Sequence, residues 1–190
     1  MRALGRCGAA RSLRRDGQRM TGRPVNVLVL CTGNSARSIL GEAIINRLGK
    51  GRFRGFSAGS QPKGAVHPGA LRLLERHGYP NEGLRSKSWD EFNGPGTPQI
   101  DVVVTVCDNA AGEVCPVWTG NPIKAHWGLP DPAAVTGDEA TVDAAFEAAH
   151  DALVRRFSKL VELPILDREV PAMAVRQRLQ AIHDEADDAA

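Results

Sequence analysis

A chain of 190 residues with 42% hydrophobic content is long enough for one compact domain with a real core and short of what two usually need. Net charge is +2, yet seven of the 24 basic residues are arginines in the first 23 positions, Arg2, Arg6, Arg11, Arg14, Arg15, Arg19 and Arg23, against one acid, Asp16. The remainder is therefore net acidic, which argues against nucleic-acid binding; with no bilayer-length apolar run and no secretory signal pattern, a cytoplasmic protein is expected.

Residues 1–23 read as a basic, disordered leader: a transit peptide, a solvated arm, or an upstream extension of a frame starting at Met20. A body follows over residues 24–165, and residues 166–190 read as a C-terminal helix with an acidic tail from Asp184 to Asp188. The run Val25 to Leu30 is short, β-branched and apolar on both faces, as a central parallel strand is. It breaks at Cys31-Thr32-Gly33-Asn34-Ser35, and from Arg37 the apolar positions Ile39, Leu40, Ala43, Ile44 and Leu48 take helical spacing up to Gly49.

The alternation continues. Phe53 to Ala58 reads as a second strand, and Pro68 to about His77 as a helix with Leu71, Leu73 and Leu74 inward. Val102 to Val106 reads as a third strand and Ile123 to Trp127 as a fourth. Helices are expected over Asp138 to Val161, with Val142, Ala145, Phe146, Ala149, Leu153, Phe157 and Leu160 on one face, and over Ala172 to about His183. This order implies an α/β domain: an open parallel four-stranded sheet with helices on both faces.

Ligands of such sheets bind beyond the carboxyl ends of the strands, and three reactive groups sit there: Cys31, Cys107 and Asp131. After Cys31, residues Thr32, Gly33, Asn34, Ser35, Ala36 and Arg37 lead into a helix, so their amides can cradle an oxyanion at the positive end of the helix dipole. Arg37 closes the ring with a planar fork suited to two oxygens at once. The same field favours the thiolate of Cys31, and Ser38 is placed to hydrogen-bond the sulfur. A lone cysteine would read as a buried thiol, but Cys-x5-Arg-Ser between a strand and a helix is specific. Asp131-Pro132 reads either as a helix cap or as a proton donor to the leaving oxygen.

With four cysteines in all, Cys7, Cys31, Cys107 and Cys115 make no disulfide framework and no zinc-ligand spacing. His67, His77, His126, His150 and His183 lie apart in sequence, so no metal is assigned. Trp89, Trp118 and Trp127 read as packing residues.

The segment Val29-Leu30-Cys31-Thr32-Gly33-Asn34-Ser35-Ala36-Arg37-Ser38, with the distant Asp131-Pro132, resembles the low-molecular-weight protein tyrosine phosphatase superfamily, and within it the arsenate reductases. The resemblance spans about Val25 to Leu163 and implies a flavodoxin-like fold. It implies Cys31 as nucleophile, Arg37 as oxyanion clamp and Asp131 as general acid. It further implies that Cys107 and then Cys115 relay oxidation from the site to an external thiol reductant, whether thioredoxin, glutaredoxin or mycothiol. Ala133-Ala134 stands where phosphotyrosine-specific relatives present tyrosines, which favours arsenate reductase over the alternative, a phosphatase using a cysteinyl-phosphate. No tightly bound cofactor is implied, and a monomer is expected. Some reductases of this kind bind potassium, and Asn34, Glu42 and Ser57 match part of that set; around Ser86-Lys87-Ser88, however, no acid falls in register, Asp90 being the nearest.

Overall fold

The computed structural model describes residues 22–107, 118, 120–167 and 170–187. Strand β1 (Val25–Cys31) is buried along its whole length. Its side chains alternate between two cores, Val25, Val27 and Val29 entering one, Leu28 and Leu30 the other, as a strand covered on both faces must. It pairs in parallel with β2 (Phe53–Gly59), in a register running from Val25 opposite Phe53 to Cys31 opposite Gly59. On its other side lies β3 (Val102–Thr105), and β4 (Ile123–His126) follows outside that. The order is β2-β1-β3-β4, all parallel, so the direction of strand addition reverses between β1 and β3. A crevice opens at such a reversal, beyond the carboxyl ends of the strands, and Cys31 and Cys107 lie on its two sides.

Four α-helices are described: α1 (Arg37–Leu48), α2 (Pro68–Arg76), α3 (Glu139–Leu160) and α4 (Ala172–Asp187). Pro68 suits the first position of α2 because its missing N–H has no acceptor there anyway, and the Asp138 carboxylate starts α3 by accepting from the Thr141 amide at 2.8 Å. Gly41 lets α1 lie close on the sheet, since a Cβ there would stand 2.9 Å from a Val29 methyl. All four helices feed the larger core. On the opposite face, the described cover over Leu28, Leu30, Ala58 and Val103 is the 3-10 turn Trp89–Phe92 with Ile100 and Trp118. Helices were expected on both faces; the described ones share a single face.

The third and fourth strands close one residue earlier than expected, although the Val106 and Trp127 amides still donate to Leu30 and Thr105. Leu71, expected inward, is 38% exposed, because Ala70, Leu73 and Leu74 fill the buried stripe of α2. Helix α4 continues past His183 to Asp187; within it the exposed Glu185 accepts from Lys159 at 2.7 Å. Its Val175, Leu179 and Ile182 enter the main core, and the Leu179 carbonyl accepts from the Trp127 indole at 3.0 Å. At the other end Arg23 grips Asp101 through two bonds of 2.6 Å. Among the described residues no helix is long and apolar enough to cross a membrane.

The fully buried Phe157 touches Trp127, with ring centroids 5.3 Å apart, and so joins α3 to the residue that follows β4. Truncation to alanine should cost about 3–5 kcal/mol. Urea unfolding is the measurement: the unfolding free energy of Phe157→Ala should fall by that amount, and a change under about 1 kcal/mol would mean the cavity collapses freely.

Candidate active site

The turn after β1 is built by carbonyls that point away from the cysteine. The Thr32, Gly33 and Ser35 carbonyls accept from the amides of Gln61, Lys63 and His67 at 2.8–3.0 Å, and Ser86 Oγ also donates to Gly33. Turning the carbonyls outward leaves the loop amides to face the other way, and the Asn34 amide does reach Cys31 Sγ at 3.2 Å. Asn34 takes a positive φ of 40°, a conformation that asparagine tolerates better than most residues. Gly59, opposite Cys31, has to be glycine: a Cβ there would stand 2.4 Å from the Thr32 carbonyl oxygen. Ala36 at the N-cap of α1 offers no side-chain cap, and the first turn holds no acid. The helix thus presents its positive end to the turn without an internal anion.

Cys31 is 5% exposed. Its sulfur lies 3.0 Å from Ser38 Oγ, which accepts from Asn34 Nδ2 at 2.9 Å. Arg37 reaches across the crevice, donating from Nη1 to the Leu129 carbonyl at 2.7 Å and pairing its Nη2 with Asp131 Oδ2 at 3.0 Å. Its Nε is buried without a hydrogen-bond partner. Asp131 takes the first of the two roles that the sequence left open, the cap. Its Oδ1 accepts from the Ala133 amide, capping the 3-10 turn Pro132–Ala134, while Oδ2 faces Arg37.

The second cysteine arrives from β3. Cys107 is buried, and its sulfur lies 3.6 Å from Thr32 Oγ1, on the residue that follows Cys31. Cys31, Thr32 to Arg37, Ser38, Asp131 and Cys107 are therefore brought to one crevice. Cys115 and Cys7 lie outside the described residues.

A lysine stands where an acid would be needed to complete a cation site. Lys87 Nζ donates to Glu42 Oε2 at 2.9 Å, Ser57 Oγ at 3.2 Å and the Arg85 carbonyl at 3.3 Å. The residues present do not fit a potassium ion, because an ammonium already occupies the oxygens that would hold one. The histidines, scattered in sequence, are also partly gathered: ligand-capable atoms of His77, Glu147 and His150 lie within 4.8 Å of one another. Each is engaged within the protein. His77 bonds Glu147 at 2.8 Å, Arg76 does so at 2.9 Å, and the His150 ring meets Tyr79 and Asp151 through its two nitrogens. The cluster serves as a polar strap between α2 and α3.

His67 is a neighbour of the site that composition and spacing did not single out. Its amide donates to the Ser35 carbonyl, its Nδ1 caps α2 by accepting from the Gly69 amide, and its ring stacks on Phe146 with centroids 5.0 Å apart. Burial first, then Lys63 and Arg72, pull the imidazole below its ordinary value, against the opposing charge of Asp131.

Comparison with known proteins matches residues 26–172 to the family model described as low molecular weight phosphotyrosine protein phosphatase. A protein named arsenate reductase from Halalkalibacterium halodurans is 30% identical over 136 residues, covering 72% of this chain and 94% of its own length. Among solved structures, arsenate reductase from Archaeoglobus fulgidus matches with a TM-score of 0.58 at 30% identity, over 72% of this chain and 99% of that one. An arsenate reductase in the phosphate binding state matches with a TM-score of 0.59 at 27% identity, over 73% and 97%.

The lowered His67 value has a definite consequence for stability. The unfolded chain protonates this ring near pH 6.5 and the folded chain only at lower pH, so in that window the unfolded state holds more protons. The stability from the neutral ring is complete above about pH 6.5 and is lost as pH falls through the lowered folded value. His67→Asn keeps a capping acceptor but does not titrate. Urea unfolding at about pH 7 and pH 5 should show a smaller acid loss in this variant than in wild type; equal losses would assign the acid sensitivity to other groups.

Proposed function

This chain belongs to the low molecular weight phosphotyrosine protein phosphatase family, and on that premise we propose that it is an arsenate reductase working through a relay of three cysteines. The observation that carries the reading is Cys107, a second buried thiol held 3.6 Å from the anion turn next to Cys31. Hydrolysis of a phosphate ester has no use for it, whereas reduction of an oxyanion has to deposit its oxidising equivalents on a second sulfur.

The Cys31 thiolate attacks arsenic while the turn amides and Arg37 hold the remaining oxygens, and Asp131 supplies the proton that lets one oxygen leave as water. Ser38, 3.0 Å from the sulfur, steadies the thiolate by hydrogen bonding. The Cys107 thiolate then attacks Cys31 Sγ. A disulfide forms, the sulfur–arsenic bond breaks, and its electron pair stays on arsenic, which leaves as arsenite reduced by two electrons. Cys115 attacks Cys107 in turn and releases the Cys31 thiolate, and an external thiol donor of the thioredoxin, glutaredoxin or mycothiol kind reduces the Cys107–Cys115 disulfide. The reading places the protein, as a monomer, in a reducing cytoplasm where these thiols stay free.

The test is arsenate-dependent NADPH oxidation with each reductant system, alongside p-nitrophenyl phosphate hydrolysis. Cys31→Ser should abolish arsenate turnover. Cys107→Ser and Cys115→Ser should each stop multiple turnover, the latter accumulating a Cys31–Cys107 disulfide visible by mass spectrometry. Wild type that is inert to arsenate in all three systems, with phosphate-ester hydrolysis intact in wild type, Cys107→Ser and Cys115→Ser, would replace the reductase by a phosphatase. Arg37→Lys keeps the charge but loses the fork, and kcat/KM for arsenate should drop by about a hundredfold; a loss under about threefold would remove Arg37 from the oxyanion site.

A further inference from the structure

Lys87 is 7% exposed, and its partner Glu42 only 13%. A buried ammonium is costly unless each of its protons finds an acceptor and its charge finds an opposite one. Here both conditions are met, because its three protons go to Glu42, Ser57 and the Arg85 carbonyl. Glu42 lies on α1, Ser57 on β2 and Lys87 on the chain leading to the 3-10 turn, so one charged group ties three elements together.

The main chain of the same residue continues toward the nucleophile. The Lys87 amide donates to Asn34 Oδ1 at 2.7 Å, and the Lys87 carbonyl accepts from the Gly59 amide at 3.0 Å. Asn34 passes the connection on: its Nδ2 donates to Ser38 Oγ at 2.9 Å, and Ser38 meets Cys31 Sγ at 3.0 Å. The side-chain end of Lys87 neutralises Glu42, while its backbone end holds Asn34 in its positive-φ conformation against the sulfur.

We propose that Lys87 is a tethered counter-cation and a positioning residue for Cys31: its ammonium occupies the Glu42–Ser57 oxygens that a monovalent metal ion would need, which makes the protein indifferent to potassium. The inference rests on Cys31 being the nucleophile, and it makes Glu42 a latent cation site opened by removal of the ammonium. Methionine at position 87 keeps the apolar stem and deletes the charge, leaving the Glu42 carboxylate buried and uncompensated. The chain of bonds through Asn34 and Ser38 then loosens, and the added net negative charge disfavours the Cys31 thiolate.

The test needs no arsenate, so its failure is separable from failure of the reductase reading. Iodoacetamide labelling of Cys31 at pH 7, followed by peptide mass spectrometry, and thermal melting are recorded in KCl and in choline chloride at matched ionic strength. Wild type should give the same labelling rate and the same Tm in both salts. Lys87→Met should label Cys31 about five- to tenfold more slowly in choline and recover most of that rate, with a higher Tm, in about 0.1 M KCl. The double variant Glu42→Gln/Lys87→Met, which removes both charges, should fold and show no potassium response. A wild-type response to potassium overturns the proposal even if Lys87→Met does not fold. So does a Lys87→Met protein whose labelling matches wild type or is the same in both salts.

Discussion

The site depends on the direction in which one short stretch of backbone faces. A peptide unit cannot aim its carbonyl and its amide at the same target, so fixing three carbonyls of the turn on residues 61–67 also fixes where the intervening amides look. Those anchors belong to the connection between β2 and α2, which is itself set by the pairing of β2 with β1 and by the capping of α2 at His67. The sheet therefore does more than carry Cys31 to its edge. It supplies the acceptor framework that keeps the turn carbonyls outward and the Asn34 amide on the Cys31 sulfur, before any anion arrives.

Around that turn, charge is arranged in two layers. The inner layer faces the crevice: Arg37 against Asp131, with the open N-terminus of α1 beneath. The outer layer is sealed behind it: Lys87 against Glu42, linked to the turn through Asn34. The two pairs differ in purpose as well as in exposure. The Asp131 side chain is 38% exposed, so water can reach it and the pair can part; Lys87 and Glu42 have no such alternative and hold their geometry. A mobile ion pair at the mouth and a fixed one behind it suit a site that has to admit a ligand without losing the shape of its cradle.

The turn and its helix were legible in sequence because their signal is contiguous: a strand, a cysteine, five small or polar residues, an arginine and a helical stripe all fall within a short span. Cys107 and Asp131 were legible for a different reason, since the end of each strand marks one edge of the sheet. Lys87 is not legible as part of the site, because a ligand set at that place calls for an acid. An opposite charge at the same place satisfies Glu42 equally well, and no periodicity reports it. The His77–Glu147–His150 strap was missed because it joins the end of α2 to the middle of α3, residues far apart in sequence. The inward reading of Leu71 failed for a simpler reason: on the short α2 three other residues already fill the buried stripe. In α3 the same face accepts His150 and Arg156 among its apolar residues, which a hydrophobic count alone does not anticipate.

The contact between Arg37 and Asp131 also changes what ligand binding means here. A carboxylate is itself a small oxyanion, and the clamp of this site already holds one as a resident competitor covalently attached to the same chain. On the proposed reading, an anion that takes Arg37 Nη2 has to exchange with Asp131, and the free energy of that exchange, rather than of Arg37 pairing alone, enters its affinity. The displaced carboxylate does not travel far, because its other oxygen remains on the Ala133 amide. Loading the clamp and freeing one carboxylate oxygen at the mouth of the crevice would thus become a single event, and an ion too weak to win the exchange would leave the site in its resting arrangement.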